Sequence, residues 1–254
     1  MTEPYTSDEA LVTEKQGWLR SLVTRVMRRI PLLAGLDAQL QEVAGGAAVA
    51  LALRVIGTGL AFGFNIILAR LIGPAGAGIY YQALAIMLFG TVVGQLGLEN
   101  ALLRFVAAHA NQGDWGAVRH ITRKGLRAAG AASTLVVLVV AAGARPISIL
   151  VFSDPQLTGP LRLMALAILP FTLNTLFASM LRAVDRVEAS MLVSSVFVPL
   201  FSSVLLLFLA RPLGVNGAAL AYLAATLVTL AGAALFWRQA TPQMRHLAGS
   251  VDTA

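Results

Sequence analysis

The sequence predicts an all-α, polytopic membrane helical bundle of about six transmembrane helices. Three observations carry that expectation: the balance of apolar over charged residues, the length of the apolar stretches, and the lack of alternation within them. Of 254 residues, 57% are hydrophobic and 12% charged, where an ordinary soluble domain is roughly 25% charged. The chain divides into apolar stretches near residues 44–69, 79–104, 125–145, 161–182, 189–210 and 215–237, each close to the ~20 residues a spanning helix needs. Runs such as STLVVLVVAAG and SSVLLLFLA lack the apolar–polar alternation of a membrane β-strand.

Taken in order, residues 1–43 form a polar tail, 44–238 a six-helix membrane region and 239–254 a polar C-terminal tail. In the N-terminal tail Trp18, Leu22, Val26 and Ile30 recur every fourth residue, with Arg20, Arg25, Arg28 and Arg29 on the other side, until Pro31. That pattern suits a helix lying on the inner leaflet; a solvated basic tail is the alternative. No early apolar run precedes a small-residue cleavage site, so the first span is expected to direct insertion itself. With no cysteine, disulfides and thiolate metal sites are excluded.

Orientation follows from the cations at the span ends. With the N-terminus inside, only Arg70, Arg145, Arg162 and Arg211 fall outside. Lys15, Arg20, Arg25, Arg28, Arg29, Arg104, Arg119, Arg123, Lys124, Arg127, Arg182, Arg186, Arg238 and Arg245 fall inside. Cytoplasmic loops hold the excess of Lys and Arg, so both termini are expected in the cytoplasm. The formal charge of +7 then reflects topology and anionic lipid, not nucleic acid.

LARLIGPAGAGIY at Leu68–Tyr80 recurs as LARPLGVNGAALAY at Leu209–Tyr222, offset by 141 residues. The register pairs Arg70 with Arg211, Gly73 with Gly214, Gly76 with Gly217 and Tyr81 with Tyr222. Both stretches read as tight outer-face hairpins of an internal repeat. The arginine ends a span where it faces the negative end of the helix dipole, and the glycines let the backbone reverse and neighbouring helices approach. Between the second and third spans, NQGDWGAVRH (Asn111–His120) reads as a turn and a short interfacial helix anchored by Trp115, whose basic continuation meets anionic headgroups.

Polar residues within the spans are the candidate site. Arg54 lies about ten residues into the first span, where an arginine costs about 2.5–3.5 kcal/mol to insert; it faces either a polar cavity or, if the span begins near Ala52, the inner interface. Glu99 and Arg104 close the second span five residues apart, too far to stack on one helix face, and suit an interhelix pair or interfacial anchor. Asn65 and Asn174 suit interhelical hydrogen bonds. Pro170 and Pro199 should kink spans four and five. Asp185 and Glu188, beside Arg182 and Arg186, read as a solvated inner loop. His109, His120 and His246 form no metal-spaced group, and neither an H-E-x-x-H motif nor a Gly-rich phosphate loop occurs. No catalysis and no cofactor are expected.

The order NIILARLIGPAGAGIYYQALA, GLENALLRFVA, a GDW loop and DPQLTGPLRLMALAILPFTLNTLFASMLRAVDR resembles the N-terminal part of the polysaccharide (O-antigen) flippases. Those belong to one superfamily with lipid II flippases and multidrug-and-toxin extrusion carriers. The likeness covers residues 44–238 and rests on Ala69 to Pro74, Gly78, Tyr80, Gly97, Leu98, Arg104 and Leu181 to Ala183. It implies one six-helix lobe of an inner-membrane carrier that moves a lipid-linked oligosaccharide from the inner to the outer leaflet by alternating access, coupled to an ion gradient. It also implies that Arg54, with Arg104 and Arg182 at the cytoplasmic mouth, holds the anionic head of that substrate, while Arg70, Gly73, Pro74, Gly78, Pro170, Pro199, Arg211 and Gly214 shape hairpins and hinges. Family members carry 12 to 14 helices in two lobes, so a second copy or a complementary six-helix lobe is expected as partner. The competing readings are a truncated or non-transporting membrane assembly subunit and a multidrug efflux carrier. The last is disfavoured because no acidic residue sits mid-span.

Overall fold

The computed structural model describes residues 38–242 and Met244. The N-terminal amphipathic pattern and the end of the C-terminal tail lie outside the described residues. The chain divides into two units, Met1–Ala52 and Leu53–Ala254, and the bundle belongs to the second. The helices of the chain are α1 (Ala38–Gln95), of which residues 53–95 belong to the second unit, α2 (Leu98–Asn111), α3 (Trp115–Pro146), α4 (Thr158–Ala183), α5 (Val187–Met191) and α6 (Val198–Ala240). A π-helical segment, Ile147–Val151, and a 3-10 turn, Pro155–Leu157, join α3 to α4, and a second π-helical segment, Leu192–Phe197, joins α5 to α6. Among the described residues, four apolar helical runs are long enough to cross a membrane: Val49–Gln95, Trp115–Val151, Pro155–Ala183 and Val187–Ala240.

The first and last of these runs each fold back on themselves, because a glycine breaks the helix. Gly73 takes φ 71°, ψ 172° inside α1, and Gly214 takes φ 55°, ψ −130° inside α6. These are the two residues paired by the 141-residue repeat. The reversal at Gly73 shows in the side chains: the Tyr81 hydroxyl donates to Asn65 Oδ1 at 2.7 Å, and the rings of Phe64 and Tyr80 stand 5.9 Å apart. Residues sixteen apart on one straight helix would be about 24 Å apart. Each pair straddles Gly73, so the chain folds back there with almost no loop. In the second copy a Cβ on Gly217 would strike the Leu209 carbonyl, so strand-like closeness of the two legs depends on glycine. The two turns meet, since a Cβ on Gly76 would stand 3.1 Å from Val215 Cγ2.

The second predicted span, 79–104, is not continuous. Leu96 (φ 50°) and Gly97 (φ 70°) break it, and α2 restarts as a separate helix whose first turn holds Glu99, where the positive end of the helix dipole favours a carboxylate. The predicted short interfacial helix at Trp115 is likewise corrected. Asp114 caps the helix by accepting from Ala117 N at 2.9 Å, and α3 then runs unbroken from Trp115 to Pro146. One reason is packing: Val118, Thr122, Gly125 and Ala129 are buried, and Gly125 brings α3 so close to Leu102 of α2 that a Cβ would lie 2.7 Å from Leu102 Cδ2.

Pro170 lies buried inside α4, which runs from Thr158 to Ala183. Pro199 falls in the first turn of α6, directly after the π-helical segment. A proline there has no N–H to offer the carbonyl four residues back, and widened π turns are a common way for a helix to absorb such a loss. The carbonyl in question is that of Ser195, and α1 packs onto it through Gly57, where any Cβ would collide with it.

α4 is the central helix and is buried along most of its length. Two apolar clusters are stacked along it. One gathers Leu157, Leu161, Met164 and Ile168 of the α4 side with Leu68, Tyr80, Met87 and Leu206. The other gathers Leu176, Met180 and Leu181 with Leu102, Val106, Val118 and Trp237.

Candidate functional site

Between and beside these clusters α4 is polar. Thr172 and Asn174 are buried, and Thr175, Ser179 and Arg182 follow at helical spacings of four and three, which place them on one face. The end of α1 and the start of α2 present a matching ladder, Gln95 and Glu99. Gln95 Nε2 donates to Thr175 Oγ1 at 2.8 Å. One helical step further, Ser179 Oγ donates to Glu99 Oε1 at 3.1 Å. Arg182 Nη2 donates both to Glu99 Oε1 at 3.0 Å and to Ser179 Oγ at 2.9 Å. This is the one ion pair among the described residues.

The seam is half open. The Arg182 and Glu99 side chains are 37% and 38% exposed, while Arg182 Nε is buried without a hydrogen-bond partner. An ionised pair presented on the flank of a membrane bundle is expensive against acyl chains, so its open edge requires water, headgroups or another polar surface. Ser179 accepts from Arg182 and donates to Glu99, so it adds a charge-assisted path beside the direct ion pair.

The remaining sequence candidates distribute around this seam. Asn174 Nδ2 donates to the Thr226 carbonyl of α6 at 3.0 Å, and its Oδ1 is buried and unpartnered. Asn65 is engaged by Tyr81 across the Gly73 turn. Arg54 is exposed, and its carbonyl accepts from Thr58 Oγ1 at 2.9 Å. It precedes Gly73 by nineteen residues, about 28 Å along a helix, so it stands near the far end of its crossing and on the same side as Glu99. Arg104 is exposed on α2 and belongs to no ion pair among the described residues. Arg70 and Arg211 are exposed beside the two turns. Pro74 begins the returning leg, and Gly78 lines an open groove of about 520 Å³ with Tyr81, Gln82, Ala85, Ile86, Phe89 and Phe152. The structure thus brings Glu99 and Arg182 together and leaves Arg54, Arg104, Asn65 and Asn174 outside their cluster.

Thr175 and Ser179 were not among the sequence candidates, although the i, i+4, i+7 series Thr175, Ser179, Arg182 and the i, i+4 pair Gln95, Glu99 could have been read as one polar face on each segment. Nothing in the sequence gives the 80-residue register that joins them.

The fold and this seam define the class: a polytopic helical membrane protein with an ionisable, partly open interhelical seam. The chain matches the family described as Polysaccharide biosynthesis protein over residues 43–247, and it belongs to that family. No curated protein matches it. Among solved structures it resembles the outward-facing conformation of a multidrug resistance MATE family transporter of the MOP superfamily, with 15% identity and a TM-score of 0.72 over 84% of this chain and 50% of that one. A crystal structure of a MATE mutant gives 15% identity and a TM-score of 0.68 over 79% of this chain and 45% of that one. At this identity the likeness is one of fold, and the chain spans about half the length of these structures.

Proposed function

We propose that the chain is one lobe of a carrier that moves a lipid-linked oligosaccharide from the inner to the outer leaflet by alternating access. The observation that carries this reading is the match to the polysaccharide biosynthesis family across nearly the whole membrane region. Half-coverage of MATE folds supports a two-lobed assembly completed by a second copy or a complementary lobe. The cations support the polarity. Arg54, Arg104, Arg182 and the basic start of α3 lie a full crossing away from the Gly73 turn, and cytoplasmic sides hold the excess of Lys and Arg. The turns therefore face outward from the inner membrane, and both termini are cytoplasmic. At the inner mouth Arg54, Arg104 and Arg182 receive the anionic head of the lipid substrate, with Glu99 and Ser179 orienting Arg182. Asn174 offers an acceptor deeper along α4.

Proteoliposomes loaded with a fluorescent lipid-linked oligosaccharide in the leaflet facing the basic end provide the test. The chain should render the glycan accessible to an impermeant lectin on the other side, and Arg54→Ala, with folding intact, should slow this at least tenfold. Accessibility no greater than in empty liposomes would overturn the reading.

A further inference from the structure

The helical hairpin formed by α2 and the start of α3 has a basic face that the carrier reading uses only for orientation and gives no ligand. α3 and its π-helical continuation run for 37 residues, Trp115–Val151, about 55 Å of helix, whereas the hydrocarbon layer is about 30 Å thick and needs about 20 residues. Most of the surplus lies at the α3 N-terminus. Large apolar side chains exposed on this run begin only at Leu135 and continue through Leu138 and Val139 to Leu150 and Val151.

Over the first turns the exposed face is basic instead. Arg119, His120, Arg123, Lys124 and Arg127 fall within about 140° of one another around the helix, opposite the buried Val118, Thr122, Gly125 and Ala129. Arg123, Lys124 and Arg127 are exposed, as is Arg104 on the neighbouring helix, and none is in an ion pair among the described residues. The nearest carboxylate on this hairpin, Asp114, is occupied as the cap of α3. Glu99 is occupied by Arg182.

Counting 20 residues back from Arg145, the cation at the opposite end of this helix, sets the hydrocarbon edge near Gly125, so that Lys124 and Arg123 stand about 1–3 Å beyond it and Arg127 about 3 Å within it, inside the reach of its long side chain. With the reach of their own side chains, the three come to the phosphate layer of the bilayer, roughly 5–8 Å deep on each side.

We propose that the outer face of the α2–α3 hairpin is a docking surface for anionic phospholipid headgroups, with Arg123, Lys124 and Arg127 as the phosphate contacts. Depth and charge select a lipid occupant. The three cations reach the headgroup layer along a single helix face, and a continuous anionic surface is the partner that meets all three at once. The hairpin's opposite face packs on the bundle, so headgroup binding anchors the helix that carries Glu99.

The test is titration of the detergent-solubilised full chain with a fluorescent phosphatidylglycerol, compared with the phosphatidylcholine of the same tails. The wild-type chain should bind phosphatidylglycerol at least tenfold more tightly, and the triple variant Arg123→Gln, Lys124→Gln, Arg127→Gln should lose most of that preference. The matched triple Arg70→Gln, Arg145→Gln, Arg211→Gln, at the other end of the bundle, should keep it. Equal affinity for the two lipids, or equal loss in the two triple variants with unchanged elution and thermal unfolding, would overturn the assignment.

Discussion

Gly73→Ala tests the hairpin reading at its narrowest point. Gly73 sits at φ 71°, ψ 172°, in a region of backbone space that is essentially glycine-only and costs another residue about 1–3 kcal/mol. No atom lies within 4 Å of where its Cβ would be placed, so the cost is one of backbone conformation and not of collision. Alanine restricts the unfolded chain and returns about 0.4–1 kcal/mol, leaving a net destabilisation of about 1–2 kcal/mol. For a chain of this size that corresponds to an apparent Tm lowered by roughly 2–8 °C. Gly59 is the control. It is helical and exposed, has equally open space about it and lacks a positive φ, so Gly59→Ala should hold or raise Tm. Thermal unfolding followed by fluorescence-detected size exclusion reads both. If Gly73→Ala melts with Gly59→Ala, the chain does not turn through a glycine-only conformation at this residue.

Other perturbations separate the remaining interactions. Gly57→Ala drives a methyl group into the Ser195 carbonyl and should cost about 1–3 kcal/mol, visible as a lower Tm and poorer recovery of monodisperse protein. A double-mutant cycle of Glu99→Gln and Arg182→Gln should return a coupling of about 1 kcal/mol, the upper end for a pair this exposed, and a coupling of zero would mean that the ion pair is not maintained. Tyr81→Phe and Asn65→Leu should each cost about 0.5–1.5 kcal/mol, and the double variant no more than the larger of the two, because both remove one hydrogen bond.

Much of this architecture is legible in the sequence for identifiable reasons. Spanning helices announce themselves by length and apolarity, and the 141-residue repeat picked out Gly73 and Gly214 because a reversal this tight leaves glycine as the fitting residue. Asn65 and Asn174 also serve as the interhelical links their chemistry suggested. What escaped notice depends on tertiary context. The apolar run from residue 79 to 104 conceals the break at Leu96–Gly97, since a left-handed leucine carries no compositional mark. Glu99 forms the interhelix pair its position suggested, but the identity of its partner, Arg182, is set by helix packing across 83 residues of sequence. The length of α3 was hidden because its first turns are polar on the outside and small on the inside, a pattern that hydropathy averages away.

A carrier lobe requires the open edge of the α4 seam to meet water. The sequence has no cysteine, so single substitutions give a clean map in native membranes. Glu99→Cys and Thr175→Cys, on the seam, should react with a membrane-impermeant maleimide supplied from the side that carries the basic start of α3, whereas Leu138→Cys and Phe208→Cys, whose native side chains are 61% and 73% exposed on apolar flanks, should stay unlabelled. Seam positions labelled no faster than Leu138→Cys and Phe208→Cys would contradict the carrier reading.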